Sequence, residues 1–558
     1  MIDAVEWIIF TIFAIGNDNN IMMKKFLLLT VMFVLSCMTM QAQRPDNYPP
    51  DNINVTINHT NLPIVWIDVN GAMILRDERI TAHMKIIHNG DGQLNYADTV
   101  AHPGQHVEYD GYIALRYRGH SSFARRKKPY SFRPLTAPLE EGGEKQKVKL
   151  LGMGKDNNWA LLAPHSDQTM VRDLLAREMA RPWMEFTPQG RYCELYLDGI
   201  YYGVYILAEV VSKGKHRLNL DDPGEEGDEL TGGYIMEVDR AEGMIFMSTH
   251  HPVTSTGVVC TDKHVFFQYV SPDYEDMSQA QINYIKSRVR LMENVFASAD
   301  YQNPETGYRQ YIDVMNFIDY QLAEELGHNV DAYRLSGKFF KRRDSEDPRF
   351  KMVLWDMDLA YGIPYYLDGW RYDTWSYQMN DTLDASGDMY LVPFWWYQLN
   401  NDPAYTATLK ARWAEYRRNN ITLERIYEVI DSLSGELTLD GAITRNSQAR
   451  PRWGVYVWPN NYIPQDYNDA LSFLKQWLAG RIAWMDEQLD FDPNAPERGD
   501  VNGDGAVNIS DVTALINYLL TGSAAVPLDA ADCDLDGKAS IPDVTTLINY
   551  LLSGSWSE

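Results

Sequence analysis

Between residues 63 and 132 the apolar positions come in short runs broken by Gly, Asn and Asp. PIVWIDV, ITAHMKII and GYIALRYRG are rich in β-branched and aromatic residues and read as strands. YCELYLDGIYYGVYILAEV reads as two strands about an Asp-Gly turn, and TGGYIMEVDR as another strand. The period changes in SDQTMVRDLLAREMARP. There Val171, Leu174, Leu175 and Met179 fall on one helical face, with Asp167 as N-cap and Pro182 past the end. Helices are predicted near 278–297 and 311–327, then a hairpin from GKFFKRR and RFKMVLWDMD. Residues 403–490 read as largely helical. Strands giving way to helices define an α+β body.

One run breaks its own pattern. VLWDMDLAYG places Asp356 and Asp358 two residues apart among apolar neighbours. On an extended strand such residues share a face. Two carboxylates beside a core repel, and a cation between them relieves the repulsion. A metal, a basic partner and a solvent-facing position all fit the pattern.

The ends of the chain read differently from the body. Lys24 and Lys25 followed by an apolar run from Phe26 to Leu35 have a signal-peptide layout, and the run is short for a membrane span. Residues 1–42 are expected to be a mis-assigned start plus this leader, with translation from Met22 or Met23, cleavage after Ala42 and no membrane span in the mature chain. In an alternative reading VLSC is a lipobox and Cys37 is lipidated. QRPDNYPPDN, 43–52, reads as a linker, 53–490 as the body, and 491–497 as a second linker. The expected location is secreted or extracellular, including the cell surface. The net charge of −27 argues against a nucleic-acid partner. Cys193, Cys260 and Cys533 form no C-x-x-C pair, so a cysteine zinc site is not expected; at most one disulfide fits.

Residues 498–556 carry an internal repeat. DVTALINYLLTGS returns as DVTTLINYLLSGS, with 11 of 13 positions identical. Each copy follows a twelve-residue loop, DVNGDGAVNISD and DCDLDGKASIPD, matching the calcium-loop template with Gly505 and Gly537 at the sharp turn. The first loop offers Asp500, Asn502, Asp504, Asn508, Asp511 and the carbonyl of Ala506. The second offers Asp532, Asp534, Asp536, Ser540, Asp543 and the carbonyl of Lys538. Two Ca²⁺ ions are expected. Two loop–helix repeats with Asp at the twelfth position resemble a type I dockerin, an all-α module. The resemblance implies docking to a cohesin-bearing protein through the helices and Ile509, Ser510, Ile541 and Pro542.

In the body, a helix, then VDAYR, a hairpin and WDMD follow the order in which protein kinases place their base and Mg²⁺ ligand. Basic RRKKPYSF and a helix bearing Glu178 match the phosphate-binding lysine and its glutamate partner in order, without G-x-G-x-x-G, H-R-D or D-F-G. YRGHSS with KKPYSF, WALLAPHSDQTMVRDLLAREMAR, CELYLDGIYYGVYILAEV, GGYIMEVD, NVDAYR and VLWDMDLAYG together resemble the spore coat protein H (CotH) kinase family of atypical kinases. His120 and Met357 depart from the usual Asn and Phe of its motifs. The resemblance implies a two-lobed, protein-kinase-like body and transfer of the ATP γ-phosphoryl group to a protein hydroxyl with Mg²⁺ or Mn²⁺. It casts Asp331 as base and Asp356 and Asp358 as metal ligands. Lys127 and Lys128 compete for the phosphates, with Lys128 preferred and Arg118 assisting, and Glu178 is the lysine's partner. Plainer readings have Asp331 capping a turn and Glu178 pairing with Arg181. Two other functions compete: a non-catalytic binding or adhesion module that keeps the fold, and a glycoside hydrolase suggested by dockerins and aromatics.

Overall fold

The computed structural model describes residues 49–522 and 526–556. The predicted leader, Cys37 and most of the 43–52 linker lie outside them. Strands β1 (Ile64–Asp68), β2 (Ile80–Ile87), β3 (Val107–Tyr117), β4 (Tyr130–Pro134) and β5 (Trp159–Leu162) precede helix α1 (Arg172–Ala180). Strands β6 (Gly190–Leu197) and β7 (Ile200–Glu209) follow, joined by the expected Asp-Gly turn, where Asp198 and Gly199 both take positive φ. The seven strands close a barrel in the order β1-β2-β3-β4-β5-β7-β6. Closure comes from β1 pairing parallel to β6, Ile64 opposite Glu194 through Ile67 opposite Leu197. Alternation fills the interior with Met84, Ile86, Ile113, Leu115, Phe132 and Leu207. It leaves Arg116, Arg118, Ser131 and Arg133 on the outer face.

A five-stranded antiparallel sheet follows. It is built from β8 (Tyr234–Val238), β9 (Ile245–Met247), β10 (Phe266–Ser271) and, after helices α2 (Gln279–Phe296) and α3 (Val314–Gly327), the hairpin β11 (Gly337–Lys341) and β12 (Phe350–Val353). Its order is β9-β10-β8-β11-β12. Four longer helices complete the body: α4 (Pro403–Asn419), α5 (Leu423–Thr438), α6 (Ala442–Ala449) and α7 (Tyr467–Gln488). Trp395, Trp396, Trp413 and Trp477 bury themselves in the largest core, where α1, α3, α4, α5 and α7 meet. PFWWYQL is therefore core, whereas Trp370 and Tyr372 of WRYDTWSY are exposed. No described helix is long and apolar enough to cross a membrane.

Two local expectations need correction. Helix α1 begins at Arg172, not just after Asp167. The Asp167 carboxylate nevertheless accepts from the backbone N–H of Thr169 at 3.0 Å and of Arg172 at 2.9 Å, and pairs with the Arg172 guanidinium at 2.6 Å. It caps the helix from across a turn. The second correction concerns WDMD. β12 ends at Val353, and Asp356 adopts φ of 64°, so the two aspartates lie on a loop rather than on an alternating strand.

In the C-terminal module, helices α8 (Ile509–Thr521) and α9 (Ile541–Ser553) pack on Val501, Val512, Leu515, Cys533 and Leu547. Trp556 stacks on Tyr550 at 4.0 Å and receives Arg498 over its ring at 4.2 Å. Cys193, Cys260 and Cys533 are all free and buried.

Candidate functional site: an acidic and basic cleft, and paired calcium loops

A cleft of about 990 Å³ runs between the outer face of the barrel, the sheet face carrying Gln268, Glu237 and Lys338, and the loops after α3 and β12. Asp331, Asp356 and Asp358 line one end. Asp331 follows α3, whose C-cap His328 takes a left-handed turn, φ 43°. Asn329 then organises the loop. Its side-chain carbonyl accepts from the N–H of Asp331 at 3.2 Å, while its amide donates to Glu324 Oε2 at 3.1 Å and to the Asp356 carbonyl at 3.4 Å. Burial pushes the Glu324 carboxyl up to about 8. Asp331 is held by Arg334 at 3.1 Å, and Arg334 in turn donates to the carbonyls of Val330 and Tyr390.

Asp356 is open to water in the cleft yet walled by protein. Burial and then Asp173 raise its carboxyl above the ordinary range, while Arg118 and a hydrogen bond from Ser336 at 3.3 Å oppose the rise. Asp358 is raised further. Burial leads, and Asp356, Asp173, Asp331 and Asp167 all push the same way. Hard carboxylate oxygens crowded without a matching set of cations suit a divalent ion such as Mg²⁺. In the body no three described acidic side chains bring their oxygens within 4.8 Å of one another.

Arg118 is the basic residue that acts on Asp356. Its guanidinium lies 5.1 Å from the centre of the Trp355 ring, and Arg177 lies 5.2 Å from the same ring. Arg177 pairs with Asp173 at 2.7 Å, and Asp173 accepts from the N–H of Met357 at 3.3 Å. Asp173 thus ties α1 to the WDMD loop. Nothing in the residue pattern singles it out, since Arg172, Arg177 and Glu178 of the same helix are charged as well.

Three predicted partners are not brought to the cleft. The Lys127 ammonium is buried against the Val204 carbonyl and 3.4 Å from Asn446, and burial followed by Arg450 and Arg452 lowers its pKa strongly. Lys128 donates to the Phe123 carbonyl and lies over the Phe123 ring. Glu178 is exposed and pairs with Arg181 at 2.7 Å, as the plainer reading had it. Of the two positions that depart from the motif, His120 lies 2.5 Å from Glu242, and Met357 is buried.

The two calcium loops share one set of backbone N–H to carboxylate bonds. Asp500 accepts from the N–H groups of Asp504 at 3.1 Å and Gly505 at 3.0 Å; Asp532 accepts from Asp536 at 3.0 Å and Gly537 at 2.9 Å. Asp511 accepts from Asn502 and Asn508, Asp543 from Asp534 and Ser540. Gly505 and Gly537 sit at φ 84° and 86°, where only glycine is unstrained. Asp504 and Asp536 accept from the N–H groups of Ala506 and Lys538. Asp532, Asp534 and Asp536 place ligand oxygens within 4.8 Å of one another. Burial raises the carboxyls of Asp532 and Asp534.

The polar cleft, with its acidic end, and the doubled calcium-loop module divide the chain into a body and a C-terminal unit. Comparison with protein families gives the same division. The model described as CotH kinase protein matches residues 115–485, and that of the dockerin type I domain matches residues 498–552. The chain belongs to the CotH kinase protein family and carries a dockerin, which implies calcium binding and a cohesin partner. No curated protein matches it.

Proposed function

We propose that the body is an exported protein kinase with a two-lobed, kinase-like arrangement, anchored through its dockerin to a cohesin-bearing partner. The observation that carries this reading is the gathering of Asp331, Asp356 and Asp358 at one end of the cleft, facing Arg118. Asp356 and Asp358 hold a divalent cation, Mg²⁺ or Mn²⁺, and their mutual repulsion is the reason the site takes one. Bound ATP supplies the γ-phosphoryl group. Arg118, stacked on Trp355, stabilises negative charge on the phosphates, and Asp331 orients the acceptor hydroxyl and takes its proton. Such a site works by positioning and electrostatics rather than covalent chemistry. Because neither Lys127 nor Lys128 lines the cleft, the phosphate role falls to arginine.

The same observation about the lysines favours a second reading, a non-catalytic binding module that keeps the family fold. Incubation of the whole chain with labelled ATP, Mg²⁺ or Mn²⁺ and acceptor protein separates the two. Label that enters protein with the wild type and not with Asp356→Asn supports the kinase. Nucleotide binding without transfer under both metals supports the binding module.

A further inference from the structure

The outer face of the barrel carries more positive charge than the kinase-type reading uses. Ser131 lies directly opposite Arg116, and Arg133 opposite Ala114, across the β3/β4 pair. Arg79 immediately precedes Ile80, which pairs with Leu115, so it falls beside Arg116 on the other neighbour. Alternation therefore sets Arg79, Arg116 and Arg133 side by side on the cleft face, with Arg118 two residues along β3's extension.

Among the described residues, none of these four arginines has a carboxylate oxygen within 4.0 Å. The hydrogen bonds of the cluster go to neutral oxygens. Arg79 donates to the carbonyls of Ala114 and Ser131 at 3.0 and 3.1 Å and to the Ser131 hydroxyl at 3.0 Å. Arg133 donates to Asn158 at 2.8 Å. Arg116 Nε is buried without a partner. Burial, then Arg133 and Arg116, push the Arg79 guanidinium down to about 9, and the exposed Asp273 offsets this only in part. Like charges are crowded here because the barrel register forces them together, and an anion between them would relieve the crowding.

Position then decides the anion. Arg118 packs on Trp355, the residue before Asp356, and stands two residues from Arg116 along the chain. Arg118 is thus the boundary. With nucleotide phosphates at the Asp356 end, the other three arginines face a second anion further along the cleft. The cleft volume, at the upper end for small-molecule sites, leaves room for it. A chain of net charge −27 attracts no acidic partner in general, so a local basic wall is selective.

We propose that Arg79, Arg116 and Arg133 form a subsite for an acidic side chain, carboxylate or phosphate, that flanks the acceptor hydroxyl in the protein substrate. The proposal rests on the kinase-type reading for its second substrate, but not for its anion binding. The test uses the whole chain and two fluorescent serine peptides that differ only in Glu or Gln flanks, with anisotropy measured without nucleotide. Wild type should prefer the Glu peptide roughly tenfold or more. Arg116→Gln with Arg133→Gln should erase that preference, leave the melting temperature near wild type, and keep the thermal shift caused by Mg²⁺–ATP. The Lys double variant should retain most of the preference. Equal binding of both peptides by wild type would overturn the subsite, as would a Gln double variant that keeps the preference or loses the nucleotide shift instead. A preference lost in the Gln variant, in a protein that shows no nucleotide shift at all, would sustain the subsite and sink the kinase reading.

Discussion

Asp358 offers the sharpest test of the acidic end, because its surroundings all act in one direction. Burial, Asp356, Asp173, Asp331 and Asp167 each disfavour its charged form, while Asp356 has Arg118 and Ser336 in opposition. Asp358→Asn should therefore stabilise the metal-free protein, and Asp356→Asn should change it little. Whatever the path of the loop, Cα atoms two residues apart lie at most about 7 Å from each other. At an effective dielectric near 20, two unit charges at that separation repel by about 2 kcal/mol. That is the expected gain for Asp358→Asn at neutral pH, a rise of a few degrees at most in melting temperature. The pH dependence fixes the sign. A carboxyl raised in the folded state costs nothing below the ordinary carboxylate range, where it is protonated in both states. The cost grows as pH rises towards its folded value. The advantage of Asp358→Asn should therefore vanish near pH 3 and appear as pH rises. With Mg²⁺–ATP the order should invert, since wild type gains stability by binding and the variant does not. Thermal melts across pH, with and without Mg²⁺–ATP, check this. A variant that melts early without metal would refute the reasoning, because it would make Asp358 a structural hydrogen-bond acceptor rather than a crowded ligand.

Asp331→Asn should keep the nucleotide-dependent thermal shift and lower phosphoryl transfer by roughly 10²- to 10⁴-fold, the span of a lost general base, in single-turnover assays. Arg118→Ala should weaken nucleotide binding measurably by calorimetry, and Lys128→Ala should leave it unchanged, since Lys128 is turned to the Phe123 carbonyl. Calcium should raise the melting temperature of the C-terminal module, and chelator should lower it. Asp500→Ala with Asp532→Ala should abolish cohesin binding in a pull-down while the thermal shift of the body persists.

The calcium loops were legible in the sequence because their ligands are contiguous. A twelve-residue spacing with Gly at the sixth position is itself the geometry, so reading Asp500 to Asp511 amounts to reading the bonds. The cleft was legible only where one segment carries its own chemistry. Asp331, Asp356 and Asp358 stand out as acids within apolar runs. The basic wall did not, because Arg79, Arg116 and Arg133 come together only when three strands pair in register and the sheet closes. Adjacent lysines drew the eye instead, and Lys127 turned out to face Val204 and α6. Helix α1 shows the same limit. By hooking back onto the N–H of Arg172, Asp167 starts the helix there and places Asp173 in its first turn. Glu178 then stands five residues further on, about 140° around the helix, and faces solvent.

Asn329 shows why NVDAYR and VLWDMD behave as one site despite the hairpin between them. One side-chain amide group accepts from the N–H of Asp331 and donates to the carbonyl of Asp356. Its other contact, Glu324, is buried at the end of α3, so the amide has a fixed support. A shift of either loop costs a buried hydrogen bond. Distance along the chain between Asp331 and Asp356 is thereby decoupled from their relative position, as the roles proposed for the two residues require. Asp173 extends the same logic to α1, since it accepts from the N–H of Met357, between Asp356 and Asp358, and pairs with Arg177 against Trp355. Trp355 in turn supports Arg118. The acidic end and Arg118 are thus fixed by one connected set of contacts running from α3 through the loop to α1 and the barrel. The further arginines of the barrel wall are set by strand register alone. Substitutions at the wall should therefore leave the acidic end in place, which is what allows the anion subsite and the phosphoryl-transfer reading to be tested separately.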